Sequence, residues 1–389
     1  MNRRSFIKTA TALSAAPLFS SLHTATATAG TLAGAAQHTA QNPGAGGCAP
    51  VKIAQLGTTH EHAGGKLSSL RLHPDVFAIV GVVNDDHSKA ARYNSQIKNE
   101  RGKYKGVRWI TEEEMFAIPD LGAVVVETAN LDLVPAARRC LARGLPIHMD
   151  KPGGEDADFA AFSQMRREYE KRKLPFQMGY MFRGNPAMQW IQQAAAKGWL
   201  GEIFEIQASM SHGSGDVYQD YIANFRGGTM FNLGCHFIDF VVPLLGRPEK
   251  VVPFLKAAPG DSPKVRNNCL AILDYPSATA TLRTCSREAG GRRYLKVCGT
   301  KGTVDLRPLE RFDKKPLQMS LILKEGNEEY KAGAHTLDFG PVRDRYDAQL
   351  LEFAREVRGE TKPPSTHDAR HDILVQEILL AASGYTKWT

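Results

Sequence analysis

Apolar runs and amphipathic stretches alternate along the first half of the chain. Val51–Leu56 reads as a buried strand that stops at Gly57, because a short apolar run closed by a turn residue marks a strand covered on both faces. A helical stretch runs to about Leu72, and apolar runs return at Val76–Val83 and Gly122–Val126. Val134–Arg143 has helical spacing and ends at Gly144, suited to the left-handed turn that closes a helix. Leu145–Met149 is the next strand, closed by Asp150-Lys151-Pro152. Such alternation predicts a parallel sheet with helices on both faces. Ligands of such sheets lie beyond the carboxyl ends of the strands, where Gly57, Asn84, Thr128 and Lys151 fall.

The pattern changes after about Lys173. Phe176–Phe182 is strand-like and Asn185–Lys197 helical. Strand-like runs then dominate: Ile203–Met210, Val251–Leu255, Cys269–Leu273, Thr279–Thr284 and Tyr294–Cys298. Gly299-Thr300-Lys301-Gly302 is a hairpin turn before Thr303–Leu306, and helices Arg345–Val357 and Ala369–Ala382 close the chain. The expected fold is an α/β Rossmann-like parallel-sheet domain over 51–172, followed over 173–389 by an α+β domain with a large, mainly antiparallel sheet.

A length of 389 residues fits about two domains. The net charge of +8 is spread without a block of five like charges, which argues for a solvated surface and against a nucleic-acid partner. Six scattered cysteines form no C-x-x-C pair and read as small core residues. Asn2-Arg3-Arg4-Ser5-Phe6-Ile7-Lys8, a weakly apolar stretch to Leu22 and Ala27-Thr28-Ala29 resemble a twin-arginine signal with its cleavage site, over 1–29. Residues 30–50 read as a linker. No other stretch is long and apolar enough to span a bilayer, so no stable membrane anchor is expected. The expectation is export by the twin-arginine machinery to the periplasm or beyond, with any cofactor loaded beforehand and held tightly.

Three passages carry a family resemblance. Met149-Asp150-Lys151-Pro152 is similar to a Glu-Lys-Pro motif. Gly227-Gly228 followed by Asn232-Leu233-Gly234-Cys235-His236-Phe237-Ile238-Asp239 is similar to a Gly-Gly…Asp-x-Gly-x-His-x-x-Asp helix. Leu244-Leu245-Gly246-Arg247-Pro248 is similar to the segment that closes that helix. Together they resemble the Gfo/Idh/MocA family of oxidoreductases. The resemblance implies NAD or NADP as cofactor and hydride transfer on a sugar, glycoside or cyclic polyol. It implies Lys151, His236 and Asn232 as catalytic residues. Cofactor contacts would come from Gly57, Thr58, Thr59, His60, Asn84, Asp85, Thr128, Asn130, Asp150 and Lys151. Substrate contacts would come from Tyr180, Arg183, Arg226, Asn232 and Asp239. A homo-oligomer is expected by analogy.

Hydride removal from an alcohol carbon needs a base for the hydroxyl proton and positive charge near the alkoxide. His236 is the expected base and Lys151 the expected charge. Asn232, His236 and Asp239, spaced i, i+4, i+7, would share one helix face. The chain also departs from the family. Gly57-Thr58-Thr59-His60-Glu61-His62 lacks the second and third glycines of G-x-G-x-x-G, Asn84 followed by Asp85 stands at the ribose position, Leu133 replaces a histidine, and Asn232 replaces an aspartate. His60 and His62 have no evident third ligand, so no metal is expected. The stretch Tyr218, Tyr221, Asn224, Phe225, Arg226 suits either a substrate-facing loop or a domain contact. Two other functions stay open: a redox-neutral glycosidase or lyase that keeps its NAD, and a sugar-binding relative without cofactor.

Overall fold

The computed structural model describes residues 49–85, 100–364 and 367–389. The twin-arginine signal and the linker up to Cys48 lie outside the described residues. Six strands, β1 (Val51–Leu56), β2 (Phe77–Val83), β3 (Trp109–Ile110), β4 (Ala123–Val126), β5 (Ile147–Met149) and β6 (Phe176–Met178), form a parallel sheet in the order β3-β2-β1-β4-β5-β6. Apolar side chains drive it: Ile53, Ala54 and Val124 to Val126 are fully buried, and Ala54 pairs with Val124 and Leu56 with Val126. Helices such as Ala63–Arg71, Leu133–Ala142 and Phe159–Lys171 supply the crossovers. Sequence order reverses between β1 and β4, which opens a crevice at their carboxyl ends.

Gly57 lets those two ends approach. It takes φ +98°, and a Cβ there would lie 2.6 Å from the Thr128 backbone nitrogen. β6 adds a strand beyond residue 172, where the first domain was expected to end. The strand expected over Phe176–Phe182 stops at Met178, and Met181–Gly184 is a 3₁₀ turn. Gly179 follows, where a Cβ would lie 2.7 Å from Lys66 Nζ and 2.9 Å from the Asp150 Cα, so only glycine fits.

The second sheet has eight strands: β7 (Ile203–Ser211), β8 (Lys250–Lys256), β9 (Asn268–Asp274), β10 (Thr279–Cys285), β11 (Tyr294–Gly299), β12 (Gly302–Leu306), β13 (Gln318–Leu323) and β14 (Gly333–Asp338). They run β14-β13-β12-β11-β7-β10-β9-β8, antiparallel except for the β7–β10 pair. One face is apolar and buried, with Ile206, Ala208, Leu282, Leu295, Val297 and Val304 pointing inward. β13 and β14 were not expected from the sequence. β13 buries only Met319, Leu321 and Leu323, and β14 is an exposed edge held by its pairing with β13. Residues from Ala49 onward form one compact unit that holds both sheets.

The expected single helix through Asn232 and Asp239 is two helices, Gly228–Leu233 and Cys235–Leu245, with a break at Gly234. Gly234 itself keeps helical dihedrals, φ −62° and ψ −30°, so the second helix follows closely on the first. The C-terminal helices are Asp347–Val357 and Ala369–Ala382. Cys140, Cys235, Cys269, Cys285 and Cys298 are free and buried, as core packing predicts. Among the described residues no helix is long and apolar enough to cross a membrane.

Candidate active site

The loop after β1 is tied down by one acid. Asp85, just past β2, accepts from the Thr58 backbone N–H at 2.7 Å and the Thr59 hydroxyl at 2.5 Å. The Thr58 hydroxyl also donates to Asn84 Oδ1 at 3.1 Å. Thr59 is thus turned inward, which accounts for a side chain at the second glycine position. Beside this loop lies a cavity of about 790 Å³, lined by Leu56, Val83, Asn84, Asp85, Thr128 and Asn130 among others. Apolar walls with a carboxylate and amides at the carboxyl ends of β1, β2 and β4 fit the adenosine half of a dinucleotide. The pyrophosphate grip departs from the ordinary one, because a carboxylate already holds the Thr58 N–H.

Further in, Lys66 is fully buried on the helix Ala63–Arg71. Its ammonium lies 2.7 Å from Asp150 Oδ2 and 2.9 Å from Glu127 Oε1. Burial raises both acids. At Asp150 the charges of His60, Lys66 and His62 outweigh burial and hold the carboxyl well below its ordinary range. At Glu127 burial and the Asp150 charge win over Lys66 and raise the carboxyl well above its ordinary range. His60 and His62 each find a third partner in Asp150, at 3.2 and 3.1 Å, and ligand atoms of the three lie within 4.8 Å of one another. The sequence had offered no third ligand. The cationic position beside Asp150 is filled by Lys66, which leaves a metal little to neutralise. Asp150, Lys66 and the histidines brace the loop from inside, and Asp150 faces this interior cluster.

Lys151 stands at the exit of β5, fully buried. Its ammonium donates to Glu61 Oε1 at 2.7 Å, to the Asn232 carbonyl at 2.8 Å and to Asn232 Oδ1 at 3.0 Å. Burial pulls its pKa down, but the charge and hydrogen bond of Glu61, with the charges of Cys235 and Asp150, together offset this and leave it raised. Glu61 answers in kind: burial raises it, Lys151, His62 and His60 outweigh burial, and the carboxyl ends well below its ordinary range. Asn130 donates to Asn232 Oδ1 at 3.0 Å and accepts from the Tyr221 hydroxyl at 2.8 Å. Asn130 and Tyr221 also line the cavity, so one polar chain runs from its wall to Lys151.

His236 begins the helix Cys235–Leu245 and is fully buried, 6.2 Å from the His62 ring and 5.4 Å from the Phe182 ring between centroids. Neither ring nitrogen has a hydrogen-bond partner among the described residues, and neither does the hydroxyl of Tyr180, whose ring lies 6.2 Å away. Burial, with the Lys151 charge behind it, pulls His236 well below its ordinary pKa and keeps it neutral. A neutral imidazole with unused nitrogens can accept a hydroxyl proton.

Other expected substrate residues go elsewhere. Arg183 binds Asp239 at 2.6 Å and Asp372 at 2.9 Å, and His371 Nε2 lies 2.7 Å from Asp239. Arg183 and Asp239 thus spend themselves on a buried ion network that fastens the C-terminal helix. Arg226 stacks on Tyr385 and donates to its backbone oxygen at 3.3 Å, so its end of the aromatic stretch makes a structural contact. Tyr221, Asn224 and Phe225 line the cavity, and the Tyr218 hydroxyl accepts from Asn232 Nδ2 at 3.2 Å. Sequence reading missed Lys66 and Glu127. Their signals were a lysine amid Gly, Ala and Leu in an otherwise buried helix and an acid directly after Val-Val-Val.

Residues 188–305 match the GFO/IDH/MocA C-terminal domain. The chain is similar to a trans-1,2-dihydrobenzene-1,2-diol dehydrogenase of Bos taurus, 26% identical over 234 residues, or 59% of this chain and 65% of that protein, just under two thirds of its length. It is also similar to a D-xylose 1-dehydrogenase (NADP(+)) of Haloferax volcanii, 23% identical over 254 residues, 64% of this chain and 74% of that one. Among solved structures, an oxidoreductase from Agrobacterium radiobacter in complex with NAD+, L-tartaric acid and magnesium superposes with a TM-score of 0.65 at 17% identity, covering 86% of this chain and 96% of that one. The matched segment follows the Rossmann-like sheet, and the solved oxidoreductase structure shares this two-sheet fold.

Proposed function

We propose that this chain is an NAD(P)-dependent oxidoreductase that acts on a CH–OH group of a sugar, glycoside or cyclic polyol. The observation that carries the reading is that Lys151, at the exit of β5, bonds Asn232, four residues before the buried His236, and is joined through Asn232 and Asn130 to the wall of a cavity at the reversal of strand order. The cofactor sits along the carboxyl ends of β1, β2 and β4, with Asn84, Asp85 and Thr128 around its adenosine half and Asn130 toward the reacting end. A nicotinamide bound there supplies the hydride acceptor. Lys151 holds its charge at the substrate oxygen and stabilises the developing alkoxide. His236, neutral and with unused nitrogens, takes the hydroxyl proton. Asn232 fixes the ammonium through two acceptors. The names of the relatives, a diol and a pentose dehydrogenase, support this substrate class.

Arg3-Arg4 and the stretch behind them favour export, with the dinucleotide carried along and retained. A retained cofactor must return to its starting state in each cycle. This favours, as a second reading, a redox-neutral reaction: transient oxidation of a hydroxyl, cleavage of a glycosidic bond, then re-reduction. Turnover assays separate the readings. With D-xylose, trans-1,2-dihydrobenzene-1,2-diol and a panel of sugars and inositols, a dehydrogenase raises absorbance at about 340 nm with added NAD or NADP. Chromogenic glycosides report the second reaction. Lys151→Ala and His236→Ala each lower either activity by about a hundredfold or more. Full activity in both variants contradicts the assignment.

A further inference from the structure

We propose that Glu61, on the loop after β1, is the positioning carboxylate of this site, matched to the amide of Asn232 so that together they orient Lys151. The inference deepens the function proposed above and rests on Lys151 being its cation, but its geometry stands on the chain alone. Lys151 has three ammonium protons and three acceptors: Glu61 Oε1, the Asn232 carbonyl and Asn232 Oδ1. Of these only Glu61 is charged. Asn232 uses both ends of its amide. Its oxygen accepts from Lys151 and Asn130, and its nitrogen donates to Glu61 at 3.1 Å and to Tyr218 at 3.2 Å.

A carboxylate at position 232 would keep the contacts to Lys151 and Asn130. It would lose both donations, to Glu61 and to Tyr218, and set two anions around one ammonium in a buried site. The acid of this site therefore belongs on the loop, and the amide on the helix is its complement. The pairing also joins the cofactor loop to the reacting end: Thr58, Thr59 and Glu61 are held by Asp85 and Lys151 on either side of His60. Displacing the loop withdraws the counter-charge from Lys151. Glu61 acts through the lysine, so it is a positioning residue.

The test observes the Lys151 ammonium directly by ¹⁵N NMR of the full chain labelled at lysine, its signal assigned by loss in Lys151→Met. In the unaltered protein the signal persists beyond the ordinary lysine range. Glu61→Gln lowers its titration midpoint by about one pH unit or more. Asn232→Asp alone leaves one carboxylate with a raised pKa, seen by ¹³C NMR of Asp and Glu carboxyls. The double variant Glu61→Gln with Asn232→Asp restores the lysine midpoint. An unmoved midpoint in Glu61→Gln, or no restoration in the double variant, overturns the proposal. If Glu61→Gln alone does not fold, the double variant must fold with the unaltered midpoint, and failure there also overturns it. Titration of the same proteins with NAD and NADP tests the functional reading separately, since an absent nucleotide leaves the lysine result standing.

Discussion

Two buried lysines divide the charge of the site between them. Lys66 neutralises Asp150, and Lys151 neutralises Glu61, while burial keeps His62 and His236 uncharged. Beside Asp150, the Lys66 ammonium also touches Glu127 at 2.9 Å, whose carboxyl is raised by burial and by the Asp150 charge. Breaking a buried pair by removing one member leaves an uncompensated ion, which costs about 3–5 kcal/mol. Lys66→Met is expected to lower stability by that amount in urea denaturation, and Lys66→Met with Asp150→Asn to recover most of it. A single variant as stable as the parent contradicts this account. Lys151 and His236 were legible in the sequence because each sits in a local motif. The contacts of Glu61 and Lys66 were not, since their partners Lys151, Asp150 and Glu127 are distant in sequence and meet them only in the folded sheet.

At the scale of elements, the strands of both sheets were readable wherever inward positions are apolar, as in β1, β4, β10 and β11. Reading failed where tertiary contact decides: at β14, paired on an exposed edge, and at Gly234, which splits one apparent helix into two. Asn232 reaches Lys151, while Asp239, two turns on, pairs with Arg183. Gly57 is the element boundary that the site depends on most. Its φ of +98° and the 2.6 Å approach of the Thr128 nitrogen leave no room for a Cβ. Gly57→Ala is expected to cost about 1–3 kcal/mol and to widen the exits of β1 and β4, with loss of nucleotide binding. Thermal denaturation and equilibrium dialysis check both effects; unchanged affinity contradicts the placement of the cofactor beside this turn.

For the whole molecule, the buried histidines make stability depend on pH. Burial, opposed by Asp150 at His62 and by Asp239 at His367, pulls both to about 3 in the folded state. Their ordinary value is near 6.5, so between these limits the unfolded chain binds more protons than the folded one. Their contribution is complete above about pH 6.5 and is lost as pH falls toward 3, at about 1.4 kcal/mol per pH unit for each. Glu356, raised to about 7 by burial, and Glu127, raised by burial and the Asp150 charge, work the other way above their ordinary value. The histidines outnumber these acids, since His148, His212 and His236 are lowered too. The urea midpoint should therefore fall from pH 7 to pH 5, and His367→Gln should flatten the slope. A midpoint that rises over that interval contradicts this balance.

The bound nucleotide itself is the most direct measure of the account. The intact protein, purified without added cofactor and then denatured, should release about one NAD or NADP per chain. Release of none, together with no heat of binding when either nucleotide is titrated into the folded protein, would contradict an oxidoreductase at the carboxyl edge of the parallel sheet. It would leave a sugar-binding protein in its place.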